Sequence, residues 1–268
     1  MTSRVSARGL GELASQLSRR DRQVLEQVQT HRFLTTAQLQ TLVFTEHVNA
    51  VAAAKATRQT LARLHSLKLM IRLERRIGGV RAGSAGYIWA LGPVGDRIRQ
   101  LDSGDGIRHR FAEPSTTFLE HTLAVADTHL QLITANRAGQ LELLQVQTEP
   151  GCWRTYTSRA GVAVSVRPDL FAITGVGEFE ACWFLEVDRA TESIPHVLKT
   201  AKAYQTYRDT GIEQHRNGTF AKVVWIVPTG ARADKLRTGL AQSRNLDPEL
   251  FAVVQPDGLV ALLGAEPG

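Results

Sequence analysis

The sequence predicts an α+β chain in two parts: a helix-rich first part that ends in a hairpin, and a second part built on a mixed central sheet flanked by helices. Three observations carry this. Charge is uneven: residues 1–113 hold 18 Lys and Arg against 9 Asp and Glu, a net of +9, while the rest hold 14 against 17, a net of −3, which together make the formal +6 of the 268-residue chain. Apolar residues recur at helical spacing as far as residue 67 and then fall into two short extended runs. Beyond residue 117, strand-length apolar runs alternate with helical segments, and two of those runs are interrupted by carboxylates.

In the first part, an extension over 1–19 precedes a helix over 20–31 with Val24, Leu25 and Val28 on one face. Thr36 is placed to cap a short second helix, Ala37–Leu42. A third helix over 50–67 turns Ala54, Leu61, Leu64 and Leu67 inward and presents Lys55, Arg58, Gln59 and Arg63 on its other face. Strands at 69–73 and 87–91 follow, joined by a loop whose four glycines suit a hairpin tip. Three helices and a hairpin make the winged helix-turn-helix plan, here over 20–101, in which the third helix enters the major groove. Arg72, Arg75, Arg76 and Arg81 lie on or near the wing, where phosphates would run. With the local charge of +9, this predicts a double-stranded DNA partner; the alternative is a solvated basic face on a structural winged domain. A helix over 93–101 and a polar linker over 102–116 close this part.

The second part, 117–268, starts with a long helix over 118–137 carrying Leu119, Leu123, Val125, Ala126, Leu130 and Ile133 at helical spacing. Strands are predicted at 141–147, 166–173, 181–188 and 221–227, helices at 194–209 and 231–243, and two short strands near 250–254 and 259–263; the 150s read as loop. Three consecutive strands imply a meander, and the helix before 221–227 implies a parallel crossover. Asp169 interrupts one strand, and Glu186 and Asp188 fall near the end of the next. Acids at otherwise buried strand ends are expensive unless they hold a metal or do acid–base work. The other reading is a structural ion network with Arg189 or Lys202.

A mixed sheet carrying Pro168-Asp169 and then Glu186 resembles the restriction-endonuclease-like PD-(D/E)xK fold. That resemblance implies Mg²⁺ held by Asp169 and Glu186, with Asp188 beside them and Glu120 as an acid from the first helix. It also implies a lysine two positions after the Glu; Asp188 stands there instead, so Lys199 or Lys202 of the following helix would have to serve. The series YIWALGPVGDRI, FLEHTLAVAD, RPDLFAI, FLEVDRATES and KTAKAYQTYRD, within roughly residues 20–230, resembles the replication-relaxation family of plasmids and mobile elements. This resemblance implies a role in plasmid replication or maintenance, with replication or conjugation proteins and a second copy of the chain as partners. Two rivals stay open: an active Mg²⁺-dependent endonuclease, and a transcriptional regulator whose second domain dimerises or senses a ligand.

Other classes are disfavoured. No run of 18 uncharged apolar residues exists, so no membrane partner is expected, and the first residues lack a signal-peptide core, which predicts a cytoplasmic protein. Cys152 and Cys182 have no metal-ligand spacing and read as reduced thiols. His121 and His129 lie eight residues apart, too far along a helix for one metal. Tyr204 and Tyr207 lack the His-apolar-His triplet of a nicking relaxase and read as packing aromatics. Gly92-Pro93-Val94-Gly95 lacks the Lys-Ser/Thr ending of a phosphate loop.

Overall fold

A computed structural model describes residues 6–73, 86–103, 111–158 and 160–265. The chain divides into two compact units, Met1–Ala126 and Asp127–Gly268.

In the first unit, α1 (Ala7–Gln16) occupies the extension and α2 (Arg19–His31) follows it. Ser18 caps α2 through a reciprocal capping box with Asp21, which satisfies two of the free amides at that end. A two-residue strand β1 (Leu34–Thr35) leads into α3 (Thr36–Val43), and α4 (Ala50–Ser66) comes after a six-residue turn. Thr35, not Thr36, caps α3, in a second capping box with Gln38. The Thr36 hydroxyl accepts a bond from the Trp89 indole instead, at 2.9 Å. On α4 the inward face is Ala53, Thr57, Leu61 and Leu64: Leu61 and Leu64 point inward as expected, Ala53 and Thr57 take the place of Ala54, and Leu67 is exposed at the helix end. Strands β2 (Met70–Leu73) and β3 (Ile88–Leu91) pair antiparallel, and β1 adds to β3, so the sheet order is β1-β3-β2. The segment between β2 and β3 lies largely outside the described residues, and Arg75, Arg76 and Arg81 lie there.

Helix α5 (Pro93–Ser103) begins on a Gly-Pro-Val-Gly turn whose glycines have a packing reason. A Cβ on Gly92 would stand 2.4 Å from the Lys68 carbonyl oxygen, and one on Gly95 would stand 2.2 Å from that of Leu69. Both obstacles are backbone and cannot swing aside. Gly95→Ala is therefore expected to destabilise the first unit by about 1–3 kcal/mol. Urea unfolding followed by Trp89 emission, in variants lacking the other tryptophans, checks this; an unchanged midpoint would mean the turn tolerates the methyl. Helix α6 (Thr116–Arg137) crosses the boundary between the units. Its first turns bury Leu119 and Leu123 against Phe33, Leu73, Ile88 and Ala90 of the first unit.

The second unit holds a five-stranded sheet of order β10-β9-β8-β7-β4. Strands β4 (Glu142–Thr148), β7 (Leu170–Val176) and β8 (Phe179–Val187) form the antiparallel meander, while β9 (Lys222–Ile226) runs parallel to β8 and β10 (Phe251–Val254) parallel to β9. Between β4 and β7 the chain inserts a hairpin, β5 (Arg154–Thr157) with β6 (Ala163–Val166), where a loop and the start of one long strand were expected. Helices α7 (Ile194–Arg208), α8 (Ile212–Asn217) and α9 (Gly230–Gln242) follow, and α10 (Pro256–Leu263) ends the unit. The expected strand at 259–263 is thus a helix: Pro256 at its first turn sets φ for a helical start, and the apolar run that follows packs Leu259 and Leu263 inward.

One sheet face, with Phe171, Phe184, Val223 and Trp225, packs on Val197, Ala201, Tyr204 and Leu236 of α7 and α9. On the other face the Trp183 indole donates to the Thr174 hydroxyl at 2.8 Å, and that hydroxyl donates to the Leu263 carbonyl of α10 at 2.9 Å. Among the described residues no helix is long and apolar enough to cross a membrane.

Candidate functional site

Strand pairing brings two of the three sequence-predicted acids together. Leu170 of β7 faces Leu185 of β8, and one step beyond that pair stand Asp169 and Glu186, on the side that carries Phe171 and Phe184. Asp169 is held by its neighbour strand: its amide donates to the Leu185 carbonyl at 3.1 Å, and its Oδ2 accepts the Val187 amide at 2.7 Å. Glu186 Oε1 accepts the hydroxyl of Tyr204, a fully buried ring that lies tilted against Phe184 and edge-on to Trp225. Burial, reinforced by the charge of Asp169, pushes the Glu186 carboxyl well above its usual range, against the pull of the Tyr204 bond. Burial and the adjacent Glu186 push the Tyr204 phenol up as well, so it stays a neutral donor.

The third acid does not join them. Asp188 Oδ2 accepts Nε of Arg232 on α9 at 2.7 Å, in a pair that is nearly buried on both sides. The same guanidinium also donates to the Glu192 carbonyl at 2.9 Å, so Arg232 clamps the chain that leaves β8. Arg232 is thus a structural partner of Asp188 that the sequence reading did not name. Lys199 and Lys202 are exposed on α7, whose buried face is Val197, Ala201, Tyr204 and Tyr207. Glu120 belongs to the first unit, on α6. Among the described residues no set of three or more His, Cys, Asp or Glu side chains is arranged to hold a metal ion.

Below this pair lies a buried ion pair that sequence reading missed. Arg154 Nε lies 3.1 Å from both carboxylate oxygens of Glu213, and neither side chain reaches solvent appreciably. Tyr207 and Asn217 donate to Glu213 at 2.6 and 2.8 Å. The guanidinium lies 4.5 Å from the Phe171 ring centre and donates to the Cys152 carbonyl at 2.8 Å. Both cysteines are free and buried, and burial pushes the Cys152 thiol up to about 12, so it is inert rather than nucleophilic. His129 is held down to about 4 by burial and is neutral at physiological pH.

The basic residues of the first unit separate into two groups. Lys55, Arg58 and Gln59 are exposed and, with Val51, follow one face of α4 at helical spacing. Arg63 turns aside and bonds Asp21, the buried acid of the α2 capping box. Arg72 lies 4.1 Å from the centre of the Tyr87 ring, a cation–π contact across β2 and β3.

Comparison with known proteins adds the following. Among solved structures, a match covers 90% of this chain and 42% of restriction endonuclease FokI, at 12% identity and a TM-score of 0.28. The chain therefore spans less than half of that protein, and a likeness this distant decides nothing about fold or activity. No curated protein matches. The family model described as replication-relaxation matches residues 25–223, from the second helix through the fourth strand of the large sheet. The chain belongs to the replication-relaxation family.

Proposed function

We propose that this is a cytoplasmic DNA-binding protein acting in the replication or maintenance of a plasmid or other mobile element. On this reading the first unit is a winged helix-turn-helix that lays α4 in the major groove of duplex DNA. The second unit is a restriction-endonuclease-like domain that works alongside it. The observation that carries the reading is the face of α4: Lys55, Arg58 and Gln59 are exposed together, one turn apart, on the helix that follows a six-residue turn. The family match supports the biological setting.

Double replacement of Lys55 and Arg58 by Ala is expected to weaken binding to a 30-bp duplex by at least tenfold at 100 mM salt. If both cations meet phosphates, the slope of log affinity against log salt should also shrink by about 1.8. Fluorescence anisotropy across a salt series reads both quantities. Undiminished affinity would take α4 out of the interface.

Asp169 and Glu186, side by side on one sheet face, are the residues that would hold a divalent cation. Two carboxylates on one sheet face suffice for Mg²⁺, which fills its remaining positions with water and phosphate oxygens. Their mutual repulsion is what such an ion relieves, and a bound Mg²⁺ supplies charge neutralisation for a nearby phosphate. A second reading, hydrolysis of the DNA backbone, draws on this same pair. Against it stand the exposure of Lys199 and Lys202 and the presence of neutral Tyr204 as the group touching Glu186, since an attacking water needs a base or a cation to activate it. Supercoiled plasmid is therefore expected to survive incubation with the protein and Mg²⁺. Nicking that disappears in Glu186→Ala would establish the cutting alternative.

A further inference from the structure

The start of α4 carries an apolar patch in solvent. Val48 is 98% exposed and Val51 is 77% exposed, on the two sides of the helix cap. Isolated exposed valines need no explanation. These two lie three positions apart across the helix cap, and Val51 begins the exposed row that continues through Lys55, Arg58 and Gln59. The polar residue between them is already used: Asn49 Oδ1 accepts the Ala52 amide at 2.8 Å as the helix cap. A surface that mixes two bare isopropyl groups with two cations and an amide, at the first turns of a helix, complements the floor of a major groove.

We infer that Val48 and Val51 recognise thymine, by covering its C5 methyl groups, and so bias the protein toward A·T-containing sites. This rests on the DNA-docking reading above and adds a specificity to it. The thymine methyl is the apolar group that the four bases offer on their major-groove edges, and small apolar side chains are its complement. The first turns of a recognition helix are the part that reaches base edges. Gln59, eight residues beyond Val51 and so about 12 Å further along the helix axis, is a side chain that can bond adenine N6 and N7 of another A·T pair in the same site. Each methyl withdrawn from water contributes roughly a fourfold gain in affinity. A protein partner on this patch would leave the adjoining cations without a counterpart, and for that reason duplex DNA is the occupant to which the surface commits.

The test uses the full chain and two duplexes identical except for the methyl: alternating dA·dT and alternating dA·dU, read by anisotropy competition at 50 mM salt. The wild type is expected to prefer the thymine duplex by at least fourfold. Val48→Ser with Val51→Ser is expected to bind both duplexes equally while still depending on Lys55 and Arg58. Val51→Thr, which keeps one methyl, should fall between. Equal affinity of the wild type for the two duplexes overturns the inference and leaves DNA docking intact. A preference that persists unchanged in the double serine variant also overturns it, because the protein would then be reading duplex shape. Binding to neither duplex overturns the docking reading itself.

Discussion

Glu213→Ala is expected to destabilise the second unit by about 3–5 kcal/mol, the penalty for leaving one partner of a buried ion pair alone. The side chain it abandons, Arg154, cannot reach water by a rotamer change: it is 5% exposed, wedged against Phe171 and Phe184, and tied to the Cys152 carbonyl. The rings offer the guanidinium a favourable face but no counter-charge. Arg154→Ala should cost somewhat less, because Glu213 would keep the Tyr207 and Asn217 donors. Replacing both partners, as Arg154→Met with Glu213→Leu, should recover most of the loss, since it is the orphaned charge and not the missing attraction that dominates. Urea unfolding followed by Trp153, Trp183 and Trp225 measures all three. A single-variant cost under about 1 kcal/mol would show that water reaches the pair.

This ion pair also marks where sequence reading stopped. The large sheet was legible because Leu170–Ile173 and Cys182–Leu185 are continuous apolar runs, bounded by turns and ended by acids. Their register made Asp169 and Glu186 neighbours, as the spacing suggested. The β5–β6 hairpin was not legible: Arg-Thr-Tyr-Thr and Ala-Val-Ser-Val are short and half polar, and their order depends on packing Tyr156 and Val166 into a core formed by distant segments. Arg154 therefore fell within the 150s, which read as loop. The Asp188 partner was hidden by separation, because Arg232 lies 44 residues later and only the parallel crossover brings it back. Tyr204 was recoverable. It falls on the Val197-Ala201-Tyr204 face of α7, which a helical count directs at the sheet and hence at the strand carrying Glu186. On α10, a short apolar run could not by itself separate helix from strand, and Pro256 was the signal to weigh.

Glu186→Gln is expected to make the second unit more stable than wild type at pH 8, and no more stable at pH 4. Desolvation and the Asp169 charge raise the native carboxyl well above its ordinary value. At low pH the native and unfolded chains both hold this proton, and the group contributes nothing. As pH climbs past the unfolded value, the unfolded chain releases its proton while the native one keeps it, so unfolding becomes easier. The loss is complete only above the raised native value. Glutamine removes that slope and can still accept the Tyr204 hydroxyl bond. A divalent cation should act in the opposite direction on the wild type, because it favours the ionised pair. Mn²⁺ at a hundredfold excess over its dissociation constant should add ~2.7 kcal/mol at pH 8, and the increment should vanish in Glu186→Gln and in Asp169→Asn. Thermal melts at the two pH values, with and without Mn²⁺, supply every comparison. If the glutamine variant follows the wild-type pH profile, the carboxyl is not held protonated by its surroundings. If Mn²⁺ stabilises wild type and both variants alike, the ion binds elsewhere and Asp169 and Glu186 are a structural pair. If Mn²⁺ stabilises the wild type alone, the pair is a metal site that needs both carboxylates, and Tyr204, which keeps its proton, is not the base for a water beside it.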